Sequence, residues 1–270
     1  MKTLCSILDH KSAEEKFEFL YKLFEILNTE VKQILSFGPS NTVQAQKAND
    51  LYHFLKDRKN FFPIQLHKDE FANLPTVFAQ NLLYANDLNK ADKANKTDKA
   101  NIYEHYLQLA LYYGTGTCEF FSIVGAYFLA KKYDINLSIE TIFSDESHTY
   151  IRLHTNPEYI LDFWSEMVCE YDDEVTWLEV LGPNYQRKDA TFKTELILNS
   201  NDLIAMGDRV FTEQNARIRL EIQHIIENKV ANFLSSNSGI SSEKKQFSFL
   251  NRFQVDEESP TDFDLASKGL

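Results

Sequence analysis

Apolar residues recur at intervals of three and four at Phe17, Leu20, Phe24, Leu27, Val31 and Ile34, the spacing of one face of an amphipathic helix. Gly38-Pro39 marks its end. A second helix is expected from Ser40 or Asn41 to Asp57, a connection at Phe61-Phe62-Pro63, and a third helical piece over residues 71–88. Residues 89–101 read NKADKANKTDKAN, a polar near-repeat without a large apolar side chain, which predicts an exposed loop or a loosely held helical extension. An apolar helix over 102–113, a Gly114-Thr115-Gly116-Thr117 turn and a helix over 118–132 follow.

The period then changes. Residues 137–143, 148–154 and 159–164 carry the composition of three strands, followed by a loop-rich stretch. Residues 203–234 return to helical spacing, with Ile218, Ile222, Ile225, Lys229 and Phe233 on one side. The Ser-rich run 235–242 and the polar end from Asp256 read as a tail. Helices, then a sheet, then helices describe an α+β protein. The expected organisation is a helical N-terminal region (1–100), a core (101–200), a C-terminal helix packed on it (201–236) and a polar tail (237–270).

Composition narrows the function. Of 270 residues, 43% are hydrophobic and 13% aromatic, enough to bury a core. Forty acidic side chains against 28 basic ones give a net charge of -12, which argues against nucleic-acid binding. No segment reaches the roughly 18 consecutive apolar residues that a membrane helix needs, and the apolar run at the start stops at Asp9, short of an export signal. Three cysteines cannot build a disulfide framework. No metal-ligand spacing and no nucleotide-binding motif occurs, so neither a metal nor a cofactor is expected.

Cys118 opens an apolar helix directly after Gly-Thr-Gly-Thr. The two glycines permit a sharp turn and close approach of a substrate chain. The helix start favours a thiolate and offers unpaired N–H groups to a developing oxyanion. His148 and Asp162 lie 14 residues apart on two neighbouring predicted strands. A hairpin centred near residues 155 and 156 puts both on one sheet face within side-chain reach. The carboxylate can then orient the imidazole, and the imidazole can deprotonate the thiol. Glu119, beside the thiol, is expected to point away, since a facing carboxylate opposes thiolate formation. Cys5 is read as incidental, Cys169 as packing and His154 as solvent-exposed.

The ordered motifs GTGTCEFF, SHTYIRL and YILDFW resemble the transglutaminase-like and papain-like cysteine enzyme superfamily over residues 113–164. The resemblance implies Cys118 as nucleophile, His148 as base and later acid, and Asp162 as the orienting residue. It further implies acyl transfer from an amide or ester through a thioester. Papain-like members place a glutamine several residues before the cysteine as an oxyanion donor. Here that position is Tyr112, and the nearest glutamine is Gln108. The second oxyanion donor is therefore unassigned, and glutamine deamidation or transglutamination ranks above peptide cleavage. The alternatives are a cysteine protease of the same superfamily or a non-catalytic helical adaptor that binds a partner protein.

Residues 140–175 hold ten acidic side chains and one basic one, Arg152. This predicts an acidic rim that would attract a basic protein substrate. The end of the chain, with Asp256-Glu257-Glu258, Phe263 and Leu265, resembles the C-terminal translocation signals of bacterial type IV effectors. That resemblance implies a protein made in a bacterial cytoplasm and delivered against a host protein.

Overall fold

The computed structural model describes residues 2–57, 72–87 and 99–236. The expected connection at Phe61-Phe62-Pro63, residues 89–98 of the polar near-repeat and the tail beyond residue 236 lie outside the described residues.

The chain is mixed α and β. Helix α1 (Leu4–Leu8) precedes α2 (Ala13–Ile34), which starts on a reciprocal cap: Glu15 N–H donates to Ser12 Oγ and Ser12 N–H to the Glu15 carboxylate. Its buried face is Leu20, Leu23, Phe24, Leu27, Val31 and Ile34, while Phe17 at the head of the expected stripe is exposed. Then come β1 (Gly38–Pro39), α3 (Val43–Asp57), α4 (Leu74–Asp87), α5 (Lys99–Tyr113), β2 (Thr115–Gly116) and α6 (Cys118–Lys132).

The sheet follows with β3 (Asn136–Phe143), β4 (Ser147–Leu153), β5 (Tyr159–Asp162) and β6 (Met167–Glu170). Helix α7 (Glu174–Leu181), strand β7 (Thr191–Asn199) and helices α8 (Ser200–Val210) and α9 (Glu213–Ser236) complete the described chain. All five sheet strands are antiparallel, in the order β6-β5-β4-β3-β7.

Two expectations are corrected. The stretch after Trp164 is not mostly loop, because it supplies β6, α7 and β7 and widens three strands to five. The single helix over 203–234 is two helices. Asn215 explains the break: its N–H donates to Thr212 Oγ1 at 3.2 Å and its side-chain amide to the Val210 carbonyl at 2.7 Å. The buried side of α9 runs through Gln223 and Ile226, with Ile225 and Lys229 facing solvent.

Helix α6 is apolar all round, with 11 of its 15 residues buried, so it is an internal helix with neighbours on every side. It packs on α2, α5, α8 and the sheet. Leu137, Ile139, Ile151, Leu153, Tyr159 and Leu161 point from the sheet into this main core. The opposite face holds a smaller cluster of Ile142, Tyr150, Ile160, Met167 and Cys169 under Trp177 of α7. Close approach of α6 to the sheet depends on Gly125, where a Cβ would lie 2.2 Å from the Phe163 ring.

Candidate active site

The turn before Cys118 is held by the N-terminal part of the chain. Strands β1 and β2 pair in parallel, Phe37 N–H donates to the Gly114 carbonyl at 2.8 Å and Ser40 N–H to that of Gly116 at 2.8 Å. The Thr115 hydroxyl donates to the Gly38 carbonyl at 2.7 Å. Gly114 takes a φ of +66°, and at Gly116 a Cβ would meet Phe120 at 2.5 Å. Both positions call for glycine. Cys118 is then the first residue of α6 and is buried. Like any helix start, this one leaves the Cys118 and Glu119 N–H groups without intrahelical acceptors.

One turn into α6, the Ser122 hydroxyl bonds the Cys118 carbonyl at 2.9 Å and the Thr149 carbonyl of β4 at 3.2 Å. This clamp ties the helix that opens on Cys118 to the strand one residue away from His148. Strand β4 meets β5 with Ile151 opposite Leu161. Three residues back from Ile151 and one on from Leu161, His148 and Asp162 are diagonal and share the face of Tyr150 and Ile160. They meet. His148 Nε2 lies 2.5 Å from Asp162 Oδ2, and the two side chains are 2% and 1% exposed.

The other Asp162 oxygen accepts the N–H groups of Trp164 (3.0 Å) and Ser165 (3.1 Å), so the chain turns there instead of extending as strand to Trp164. Burial opposes ionisation of Asp162, but His148 and the Ser165 bonds outweigh it and hold the carboxyl below its ordinary value. Burial likewise penalises the imidazolium of His148. The charge and hydrogen bond of Asp162, with Cys118 adding to them, raise its pKa nonetheless.

The imidazole is enclosed by aromatic rings, with Trp164 at 5.2 Å, Tyr185 at 5.7 Å and Trp177 at 6.3 Å between centroids. This wall excludes water and strengthens the interactions inside it. With Nε2 engaged by Asp162, Nδ1 is the nitrogen left for the Cys118 thiol, which is near enough to act on the ring electrostatically while its own hydrogen bond goes to Glu119.

Glu119 does not point away. Its Oε2 accepts from the Cys118 thiol at 3.4 Å and from the Thr117 hydroxyl. The thiol therefore donates to a carboxylate and has the His148 imidazole as its second ionisable neighbour. Gln108 and Tyr112 are engaged elsewhere: the Gln108 amide donates to the Tyr112 hydroxyl at 2.9 Å, which donates to Asn215 Oδ1 at 2.6 Å.

The remaining candidates are set apart. Cys5 is half-buried near the His154 carbonyl, and His154 contacts Glu158 at 3.0 Å on the surface. Cys169 is buried, and burial, reinforced by Asp173, pushes its thiol up to about 12. The acidic rim is smaller than the charge count predicts. Glu140 is buried and bonds Arg152 at 3.2 Å and the Tyr150 hydroxyl at 3.3 Å, Glu158 takes Arg152 and His154, and Glu166 pairs with Lys32 at 2.8 Å. Asp173 caps α7, leaving Asp145, Glu146, Asp172 and Glu174 at the surface and Glu170 half-buried. Among the described residues there is no cluster of metal-ligating side chains, and no helix is long and apolar enough to cross a membrane.

Ser122, Glu119 and the rings of Trp164, Trp177 and Tyr185 belong to the site without having been singled out for it by sequence; only the i to i+4 spacing from Cys118 to Ser122 was there to be noticed. No family model, curated protein or solved structure matches the chain.

Proposed function

We propose that this chain is a thiol-dependent acyl-transfer enzyme acting on a protein amide, with the glutamine side chain as the preferred acyl donor. The observation that carries the reading is the buried His148–Asp162 contact of 2.5 Å beside a cysteine at a helix start. A His–Asp pair is costly to bury, and a thiol neighbour gives the imidazole a chemical task.

Cys118 Sγ attacks the amide carbon while His148 Nδ1 takes the thiol proton. Asp162 holds Nε2–H and stabilises the imidazolium that forms. The N–H groups at the start of α6 face the developing oxyanion. His148 returns the proton to the departing nitrogen, leaving a thioester for water or an amine to open. A cysteine-bearing helix packed on an antiparallel sheet, with His and Asp on adjacent strands, also supports a transglutaminase-like or papain-like core. With Gln108 and Tyr112 tied to Asn215, deamidation or transamidation stays ahead of peptide cleavage.

Release of ammonia from a blocked glutaminyl dipeptide, together with acetylation of Cys118 by p-nitrophenyl acetate, tests the proposal. Both are expected in the full chain and absent from the folded Cys118→Ala variant. Undiminished ammonia release by Cys118→Ala would end it.

A further inference from the structure

The carboxylate of Glu119 is half-buried against the reacting sulfur, and among the described residues no ion pair engages it. The two acids buried on the neighbouring sheet are paired, Asp162 with His148 and Glu140 with Arg152. Among the described residues, a hydroxyl and a thiol are the donors to Glu119. A carboxylate withdrawn from water without a cation is held at a cost, and a site that keeps one has a use for its charge.

That use arises when Cys118 is acylated. The sulfur then carries no proton, so Glu119 Oε2 loses its thiol donor at the moment a thioester carbon stands beside it. A protonated primary amine supplies both the missing donor and the missing positive charge, and its nitrogen is brought next to the carbon it must attack. Water offers the hydrogen bond without the charge. We propose that Glu119 selects a primary ammonium, a lysine side chain or a free diamine, as the acyl acceptor in preference to water. The inference rests on the thiol-enzyme reading above and names its second substrate.

The step balances as thioester plus R–NH3+ giving amide, thiol and one proton. A C–N bond forms, the C–Sγ bond breaks and its electron pair goes to sulfur. Glu119 first takes one N–H proton and passes it to solvent, which frees the nitrogen lone pair that forms the C–N bond, and a second N–H proton reaches Sγ through His148.

The experiment acetylates the full chain on Cys118 with p-nitrophenyl acetate and divides the acyl-enzyme between water and added nucleophiles at mildly alkaline pH. Amide and acetate come from the same intermediate, so their ratio is independent of how much acyl-enzyme forms. The acceptors are 1,4-diaminobutane and Nα-acetyl-lysine methylamide, both cationic, and hydroxylamine, which is neutral. The favoured cation shows whether a free diamine or a side chain is the acceptor.

Glu119→Gln is expected to lower the amide-to-acetate ratio for the cations about tenfold, the loss of one charge-assisted contact, while the hydroxylamine ratio holds. Glu119→Asp, which keeps the charge on a shorter arm, is expected to fall between. An equal loss for hydroxylamine and the cations, or no change in either, would overturn the assignment of Glu119. Failure of the ester to acylate Cys118 in the unaltered chain would instead overturn the thiol-enzyme reading beneath it.

Discussion

His148 Nε2 and Asp162 Oδ2 lie 2.5 Å apart, one near the start of its strand and the other at the end of the next, and both are withdrawn from solvent. The two shifts work in opposite directions on the pH scale. Asp162 is lowered from 3.8, so its contribution to stability is complete above 3.8 and fades as pH falls through the folded value. His148 is raised from 6.5, so its contribution is complete below 6.5 and fades as pH rises toward the folded value. Stability from the pair is therefore greatest between pH 3.8 and 6.5. Thermal melts across pH should show the difference between the unaltered chain and Asp162→Asn peaking in that window and narrowing on both sides.

The same contact makes Asp162→Ala a structural change. Alanine strands His148 and removes the acceptor of the Trp164 and Ser165 N–H groups. Breaking a buried pair from one side costs about 3–5 kcal/mol. Asn at this position retains the acceptor that holds the turn, so Asp162→Asn should melt well above Asp162→Ala. Equal melting of the two would show that the Oδ1 bonds contribute little.

The thiols separate by environment. Cys169 sits in the smaller core with its thiol pushed up to about 12, so at neutral pH it is a protonated, enclosed sulfur. Cys118 donates to a carboxylate and has the His148 imidazole beside it. Iodoacetamide followed by peptide mass analysis should alkylate Cys118 first and leave Cys169 unmodified until the chain unfolds. His148→Ala should slow the Cys118 reaction by at least about tenfold, the lower end of what a lost general base costs. Equal rates at Cys118 and Cys169 would count against any nucleophilic role.

The parts of the site that could be read from the chain are those set by period and punctuation. Gly-Thr-Gly-Thr followed by an apolar run locates the first residue of α6 at Cys118, and the even separation of His148 and Asp162 across a hairpin puts them on one face. Strand β7 escaped because it is an edge strand whose first four residues are all exposed, so it has no alternating face to betray it. The break between α8 and α9 has no glycine or proline. It depends on Thr212 capping α9, which a periodicity reading passes over. The direction of Glu119 was misjudged because nothing in the spacing reports that Thr117 turns its hydroxyl toward that carboxylate.

Gln108 and Tyr112 stand near where a papain-like oxyanion donor would be sought, yet they hydrogen-bond each other and Asn215. They are expected to anchor α5 to α9. Gln108→Ala should leave p-nitrophenyl acetate turnover within about twofold, because a lost oxyanion donor costs on the order of a hundredfold or more. A loss of that larger size would assign Gln108 to the reaction and return peptide cleavage to the front.

Gly125 lies a full turn and more beyond Cys118, but it decides how near α6 comes to the strand end bearing Asp162. A Cβ there would stand 2.2 Å from Phe163, the residue after Asp162, whose ring is stacked on Phe24 of α2 at 4.7 Å. Phe163 cannot retreat without disturbing that stack, so Gly125→Ala must push helix and strand apart. Overpacking of this kind costs about 1–3 kcal/mol. The displacement also moves Cys118 relative to His148, and a misplacement near 1 Å can cost on the order of a hundredfold in rate. Gly125→Ala should therefore lower both the melting temperature and the acylation rate of Cys118, and Phe163→Leu in the same chain should restore part of each. Loss of stability with no change in acylation would mean that the helix and the triad strands move together, and that the Ser122 clamp alone sets the distance between thiol and imidazole.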